Sequence, residues 1–149
     1  MPPADWKVTI NARPEDVWPW VADLGRHADW SPKPYRVEWL LGEPNAVGST
    51  FRSVGWLPQD KQHAMEGRVT VNEPFTKFEV KSSDSAGEVT NTFSLAPRGD
   101  TTTEVTRTMD LPPATGVAKV LMPVLFPMLI RPGVQKGMNL LKTKVEGSA

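Results

Sequence analysis

Apolar and polar residues alternate along much of the chain, which is typical of β-strands with one buried face. Trp6, Val8 and Ile10 form the first such run. A second strand-like run covers residues 47–57. The other inward rows that the alternation predicts are Tyr35, Val37, Trp39 and Leu41; His63, Met65, Gly67, Val69 and Val71; Phe78 and Val80; Val89, Asn91, Phe93 and Leu95; and Val105, Arg107, Met109 and Leu111. Because short turns separate successive runs, we expect an antiparallel sheet of about six to seven strands.

Two parts of the chain change to a helical period. Residues 12–25 carry a short apolar stripe behind Pro14, and residues 26–34 predict a second short helix that ends at two prolines. In the C-terminal third, residues 117–130 are apolar almost all the way round, whereas residues 134–145 are amphipathic. A helix that is apolar on all sides needs cover on all sides, so we expect the sheet to wrap around this segment.

Three prolines interrupt the C-terminal segment. Pro123, Pro127 and Pro132 each lack a backbone donor and crowd the preceding turn. We therefore expect residues 114–130 to form a kinked or loosely helical piece over the entrance of a cavity. Residues 132–146 should form a regular helix with its proline in the first turn, and this is the helix that the sheet would hold.

Composition excludes several classes of function. The chain has 149 residues with 17 basic and 17 acidic side chains, so no basic excess marks a nucleic-acid partner. It has no cysteine and only two histidines without HxxxH or HExxH spacing, so we expect neither a metal site nor a cofactor. The lack of cysteine and of an apolar signal core at the N-terminus favours the cytoplasm.

Several short strings, in this order, resemble the START-like (SRPBCC) superfamily, the polyketide cyclase/dehydrase-like group with the helix-grip fold. The matching strings are Ala12-Arg-Pro-Glu-Asp-Val-Trp18, Trp30-Ser-Pro32, Val47-Gly-Ser-Thr-Phe-Arg52, Val71-Asn-Glu-Pro74 and the closing Leu140-Leu-Lys-Thr-Lys-Val-Glu146. They span nearly the whole chain, so we expect a single START-like domain over residues 1–149.

The resemblance implies an α+β helix-grip fold. In this fold a curved antiparallel sheet wraps around a long C-terminal helix, and one or two short helices follow strand 1. It also implies a deep cavity between sheet and helix that holds hydrophobic small molecules. It does not select one function, because the superfamily includes lipid carriers, hormone receptors and polyketide cyclases.

Three polar residues fall on the predicted inward rows, namely His63, Asn91 and Arg107. An inward arginine keeps its charge and needs a carboxylate, a water-filled cavity or an anionic ligand group. A register slip of one residue would instead turn Arg107 to solvent. His63 suits a general base near neutrality, although a structural histidine near a strand end is the simpler interpretation. His27 lies in a polar segment and is interpreted as a surface residue.

Aromatic and apolar side chains are expected to line the cavity beside these polar groups. Trp30 and Trp56 lie in turn segments and are expected near the cavity mouth. The complete set of expected ligand-binding residues is Trp30, Trp39, Phe51, Trp56, His63, Met65, Asn91, Phe93, Arg107, Met109, Leu125 and Met128.

Three functions stay open at this point. The first is a cytoplasmic binding protein for a lipid, isoprenoid or polyketide-like compound. The second is an aromatase/cyclase- or dehydratase-type enzyme in which His63 moves protons while Arg107 and Asn91 polarise a carbonyl. The third is a membrane-surface or protein-interaction module, or a homodimer, that uses the apolar residues 117–130. Stable insertion is not expected, because this run is shorter than the ~20 residues that span a bilayer.

Overall fold

The computed structural model describes residues 3–32, 35–55, 64–85 and 87–148. Within these ranges the strands are β1 Ala4–Ile10, β2 Arg36–Leu41, β3 Thr50–Val54, β4 Ala64–Glu73, β5 Lys77–Asp84, β6 Gly87–Pro97 and β7 Thr103–Asp110. The helices are α1 Pro14–Val21, a 3-10 helix Leu24–Trp30, α2 Val117–Leu125, a π-helical turn Phe126–Ile130 and α3 Arg131–Gly147. This order of elements confirms the α+β helix-grip fold.

All of these strands belong to one antiparallel sheet in the order β1-β7-β6-β5-β4-β3-β2. The strands from β2 to β7 follow one another as a meander, and β1 pairs with the last of them, with Val8 opposite Val105. In β6 and β7 the predicted alternation holds, because Phe93 lies opposite Arg107 and Asn91 opposite Met109. Both strands therefore present their predicted inward rows to the same face of the sheet.

Helix α3 packs across this inward face and is fixed to β1 by polar contacts as well as apolar ones. Met138, Leu141 and Val145 of α3 are buried in the core. The indole Nε1 of Trp6 donates to the Arg131 carbonyl at 3.0 Å, and Nζ of Lys142 donates to the Thr9 carbonyl at 2.9 Å. The sheet thus holds the second half of the C-terminal segment, as the sequence predicts.

Two β-bulges disturb the alternation. The register shifts between Trp39 and Leu41 in β2 and between Val69 and Val71 in β4. An extra residue in one strand shifts the faces of the residues beyond it. Leu41 is therefore 71% exposed although the alternation placed it inward, and Val71 is only partly buried.

The expectation that the sheet covers the apolar residues 117–130 is wrong. Helix α2 has no buried residue, and Val120 is 75% exposed. Of the π-helical turn, Phe126 is buried, and it packs on Trp6 with ring centroids 6.0 Å apart. The sheet curls far enough to cover α3 but leaves the outer face of α2 without a neighbour among the described residues.

The C-terminal segment is one continuous helix of 31 residues, Val117–Gly147, rather than two separate pieces. Arg131 keeps helical angles, with φ −60° and ψ −47°, and Pro132 lies in the first turn of α3 as predicted. The π-helical turn contains Pro127, so a local widening of the helix accommodates the prolines without a break.

By length and composition alone, the continuous helix Val117–Gly147 is long and apolar enough to cross a membrane, although the apolar run 117–130 by itself is shorter than a span. Core helices of water-soluble proteins can be equally long and apolar. Here α3 contributes Met138, Leu141 and Val145 to the core, whereas α2 has no buried residue and packs against the core through Met122. The apolar side chains on the outer face of α2 therefore need an explanation other than core formation.

Candidate functional site

A cavity of about 490 Å³ lies between the inward face of the sheet, the 3-10 helix and the C-terminal helix. This volume falls in the range of small-molecule sites, roughly 300–1,000 Å³. Its apolar lining consists of Leu24, Trp30, Pro32, Met65, Val80, Val89, Phe93, Met122, Leu125, Leu129, Ile130 and Val134. Its polar lining consists of His27, Ser31, Tyr35, Ser53, Ser82, Asn91 and Arg107, and Gly55, Gly133 and Gly137 complete the wall.

Arg107 points into this cavity, which answers the question that the sequence left open. The Oδ1 atom of Asn91 accepts hydrogen bonds from its Nε at 3.2 Å and from its Nη2 at 3.1 Å. The guanidinium carbon lies 5.2 Å from the centroid of the Phe93 ring, in the range of a cation–π contact. Neighbouring strands β6 and β7 therefore fix the plane of the guanidinium.

The charge of Arg107 has no carboxylate partner among the described residues. Its side chain keeps some accessible surface because it borders the cavity, but protein surrounds it on its other sides. Burial lowers the pKa of Arg107 to about 10, which still leaves the group protonated near neutrality. The cavity wall thus carries a permanent positive charge.

Tyr35 and Ser53 add a second polar contact to the same wall. The side chain of Ser53 is hydrogen-bonded to the Tyr35 hydroxyl. Burial raises the pKa of Tyr35, an effect that the Ser53 contact and the charge of Arg107 only partly oppose. The tyrosine therefore stays protonated near neutrality and can donate or accept a hydrogen bond.

His27 is buried in the cavity wall, at 9% exposure, so its interpretation as a surface residue is wrong. Its ring packs against Trp30 and Phe93 at centroid distances of 4.7 and 5.3 Å. Its Nε2 lies 2.7 Å from the carbonyl oxygen of Val21, which can only accept, so Nε2 carries the proton. Burial lowers the pKa of His27 to about 4, and the imidazole is neutral near pH 7.

Six of the expected ligand-binding residues line the cavity, and two others cannot be placed. The six are Trp30, Met65, Asn91, Phe93, Arg107 and Leu125. Trp56 and His63 lie outside the described residues. The catalytic candidates Asn91 and Arg107 thus meet at one site, and the proposed base His63 stays a prediction.

Four expected residues do not line the cavity. Trp39 and Phe51 are cross-strand partners whose rings pack edge to face at 5.6 Å. Met109 is buried in the core, and Met128 is 67% exposed on the outer side of the π-helical turn.

Close packing within the sheet explains the position of Phe51. A Cβ atom on Gly67 of the next strand would lie 2.7 Å from the Phe51 ring, so this ring occupies the space above the glycine.

Trp30 is 3% exposed and forms part of the cavity wall rather than standing free at the cavity mouth. Its Nε1 donates to the Trp20 carbonyl at 3.2 Å, which fixes the ring against α1. Leu24, His27 and Trp30 follow one another at intervals of three residues, and this spacing places side chains on one side of a 3-10 helix. From the sequence, this spacing could have placed His27 on the same side of the helix as Leu24 and Trp30.

The described wall of the cavity offers hydrogen bonds and a positive charge to a ligand. Within the described ranges, no group of three or more histidine, aspartate or glutamate side chains could hold a metal ion. Besides Arg107, the polar groups of the described wall are four hydroxyls, one amide and an imidazole that is neutral near pH 7. Such a set can bind and orient an oxygen-bearing group of an otherwise apolar molecule.

A sequence model described as polyketide cyclase/dehydrase and lipid transport matches residues 4–146. The chain belongs to the polyketide cyclase/dehydrase and lipid transport family. The resemblance to the SRPBCC superfamily is thereby confirmed. A search among curated proteins found no match.

Several solved structures share the fold of this chain at low sequence identity. The ZhuI aromatase/cyclase from Streptomyces sp. R1128 superposes with a TM-score of 0.77 at 16% identity, over 97% of this chain and 93% of its own. The Thermus thermophilus protein TTHA0849 gives a TM-score of 0.76 at 18% identity over 99% of both chains. DynU16, from the dynemicin biosynthetic locus, gives 0.65 at 17% identity over 97% of this chain and 47% of its own.

At these levels of identity the neighbours establish the fold of this polyketide cyclase/dehydrase family member and not its chemistry. Family and fold together support a hydrophobic ligand-binding architecture. The ligand and any reaction must be inferred from the cavity of this chain.

Proposed function

We propose that this protein binds a hydrophobic or aromatic small molecule, such as a lipid, isoprenoid or polyketide-like compound, in the cavity between sheet and C-terminal helix. The observation that carries the proposal is a cavity of about 490 Å³ whose wall is mainly apolar. A wall of this kind favours an apolar molecule, because water there gains few hydrogen bonds.

Exposed apolar side chains at the border of the cavity support the proposal. Met122, Leu125 and Leu129 belong to the cavity wall, yet Leu129 is also 65% exposed. An apolar ligand that enters beside these side chains meets apolar surface both outside and inside the cavity. The ligand can therefore enter the cavity without desolvating polar groups of the protein along its way.

Native mass spectrometry of the purified protein, followed by gentle extraction, tests the proposal. We expect a bound compound, or stoichiometric uptake of the neutral dye Nile red with a blue-shifted emission. A protein that takes up neither the dye nor any apolar compound would contradict the proposal. Conversion of an added poly-β-keto compound with loss of water would instead support the aromatase/cyclase- or dehydratase-type alternative.

A second candidate function is contact with a membrane surface through helix α2, and the exposed side chains of that helix favour it. Val117, Val120, Val124 and Met128 turn outward, with Val124 55% exposed. Residues 111–145 contain no aspartate or glutamate, whereas Lys119 and Arg131 border the patch and are exposed. Apolar side chains flanked by basic ones suit an anionic lipid surface.

Flotation with anionic vesicles of phosphatidylglycerol and, separately, with zwitterionic vesicles of phosphatidylcholine tests this second function. We expect the protein to float with the anionic vesicles, and the V120E/V124E double variant to lose this association. V47E is the matched control, since Val47 is 60% exposed in the turn between β2 and β3. If the wild type ignores both kinds of vesicle but sediments as a dimer, the patch serves self-association instead. A cytoplasmic location without stable insertion fits either result.

A further inference from the structure

Arg107 is the charged side chain on the described part of the cavity wall. The other polar groups there belong to serine, tyrosine, asparagine and histidine. Burial lowers the pKa of His27 to about 4 and raises the pKa of Tyr35, so both are uncharged near neutrality. The described wall therefore carries one positive charge, and no carboxylate among the described residues pairs with it.

Asn91 fixes the orientation of this charge but does not neutralise it. Its neutral Oδ1 accepts from Nε and Nη2 of Arg107. The Nη1 atom donates no hydrogen bond to any residue within the described ranges. A carboxylate pairs with two adjacent guanidinium N–H groups, and the Nη1 side is the side that Asn91 leaves open.

We propose that the ligand carries a carboxylate or an equally delocalised oxyanion that pairs with Arg107, while its apolar body fills the rest of the cavity. This inference rests on the proposed ligand-binding function and names the ligand class as an amphiphilic organic anion, such as a fatty acid or an aromatic acid. A purely apolar ligand would displace water from the guanidinium and leave a buried ion unpaired, which is unfavourable.

The surroundings of Arg107 suit a ligand that is charged at one end only. Phe93 covers one face of the guanidinium. Val80, which lies opposite Asn91 on the neighbouring strand, and Val89 are apolar residues of the same wall. Tyr35 lines the same cavity as Arg107, and its hydroxyl stays protonated near neutrality because burial raises its pKa. It can therefore donate a further hydrogen bond to the same oxyanion.

A series of ligands that differ only at the polar end tests the inference. Dodecanoic acid, dodecanol and methyl dodecanoate are titrated as competitors against Nile red, which is neutral. We expect the acid to bind at least about tenfold more tightly than the alcohol or the ester, because charge-assisted hydrogen bonds are stronger than neutral ones. In Arg107→Met the acid should bind no more tightly than the alcohol or the ester, a ratio that does not depend on the affinity of the variant for Nile red.

Asn91→Asp provides a second variant that keeps the arginine. The new carboxylate would lie within hydrogen-bond distance of Nε and Nη2 and act as an internal counter-ion, so it should also abolish the preference for the acid. Arg52→Met is the matched control, since the Arg52 side chain is 50% exposed and does not line the cavity. Circular dichroism and urea unfolding establish that each variant is folded.

The outcomes separate the two proposals. Equal affinity for acid and alcohol in the wild type, or an undiminished preference in both cavity variants, would overturn the assignment of an anion to Arg107 while leaving the binding function intact. A wild type that binds neither Nile red nor any of the three amphiphiles would overturn both.

Discussion

The side-chain oxygen of Asn91 accepts two hydrogen bonds from the guanidinium of Arg107, at 3.2 Å from Nε and 3.1 Å from Nη2. One neutral acceptor thus holds a cation inside a mainly apolar cavity. A protein that needed only a stable core would gain little from this arrangement, because the desolvated charge opposes folding. The pair is therefore better explained by binding than by stability.

The first prediction follows from that imbalance. Arg107→Met removes a buried cation and substitutes an apolar side chain of similar length, and water in the cavity can hydrogen-bond to Asn91. The free energy of unfolding of the ligand-free protein should be unchanged or higher by about 1–3 kcal/mol in urea titrations. A decrease of about 3 kcal/mol or more would instead indicate that Arg107 has a charged protein partner.

The second prediction concerns His27 and acid. Its pKa is about 4 in the folded protein and near 6.5 in the unfolded chain. Between those values the unfolded state binds more protons, so stability is complete above about pH 6.5 and falls as the pH approaches 4. Burial is the main cause, the charge of Arg107 adds to it, and the Val21 hydrogen bond and Asp23 oppose it.

His27→Gln isolates this contribution, since glutamine can still donate to the Val21 carbonyl but does not titrate. From about pH 7.5 to about pH 4.5, the wild type should lose roughly 2–3 kcal/mol more than the variant in the free energy of unfolding. Carboxylates titrate in both proteins and cancel in the comparison. Parallel stability curves for the two proteins would show that the imidazole is not desolvated.

The third prediction uses Gly133, a glycine of α3 that borders the cavity. A Cβ atom there would meet no atom within 4 Å. Gly133→Leu should reduce Nile red affinity by about tenfold or more by filling the cavity, without loss of stability. Gly133→Ala is the control, and it should retain dye binding and gain up to about 1 kcal/mol from better helix propensity. Full dye binding by the leucine variant would place the dye elsewhere.

The fourth prediction concerns Gly67 in β4. A Cβ atom at this position would lie 2.7 Å from the Lys81 carbonyl, the Phe51 ring and the Ser82 hydroxyl. Gly67→Ala should lower the free energy of unfolding by about 1–3 kcal/mol, because the backbone of β5 cannot yield as a flexible side chain could. A variant as stable as the wild type would mean that the two strands are farther apart.

Alternation along the sequence was sufficient where the sheet is regular. Asn91, Phe93 and Arg107 were predicted on one face, and the antiparallel pairing of β6 with β7 places them there. Periodicity cannot show which inward side chains pack against one another and therefore do not reach the cavity. Phe51 faces inward as predicted, but its ring fills the space over Gly67 rather than the cavity.

Two further misses have different causes. His27 was missed because its segment was interpreted as polar and exposed, although Leu24, His27 and Trp30 are three residues apart and share one side of the 3-10 helix. Helix α2 was expected to be covered because it is apolar, but hydrophobicity indicates a preference for cover and not its source. The bulge that exposes Leu41 likewise depends on strand pairing, which the local pattern does not contain.

A crystal structure of the protein grown with dodecanoic acid would show whether a ligand carboxylate pairs with Arg107. We expect density for the alkyl chain of the acid between the sheet and α3, with a carboxylate oxygen within hydrogen-bond distance of Arg107. Side chains that close over an empty interior, or a fatty acid bound only on the outer surface of α2, would contradict this expectation.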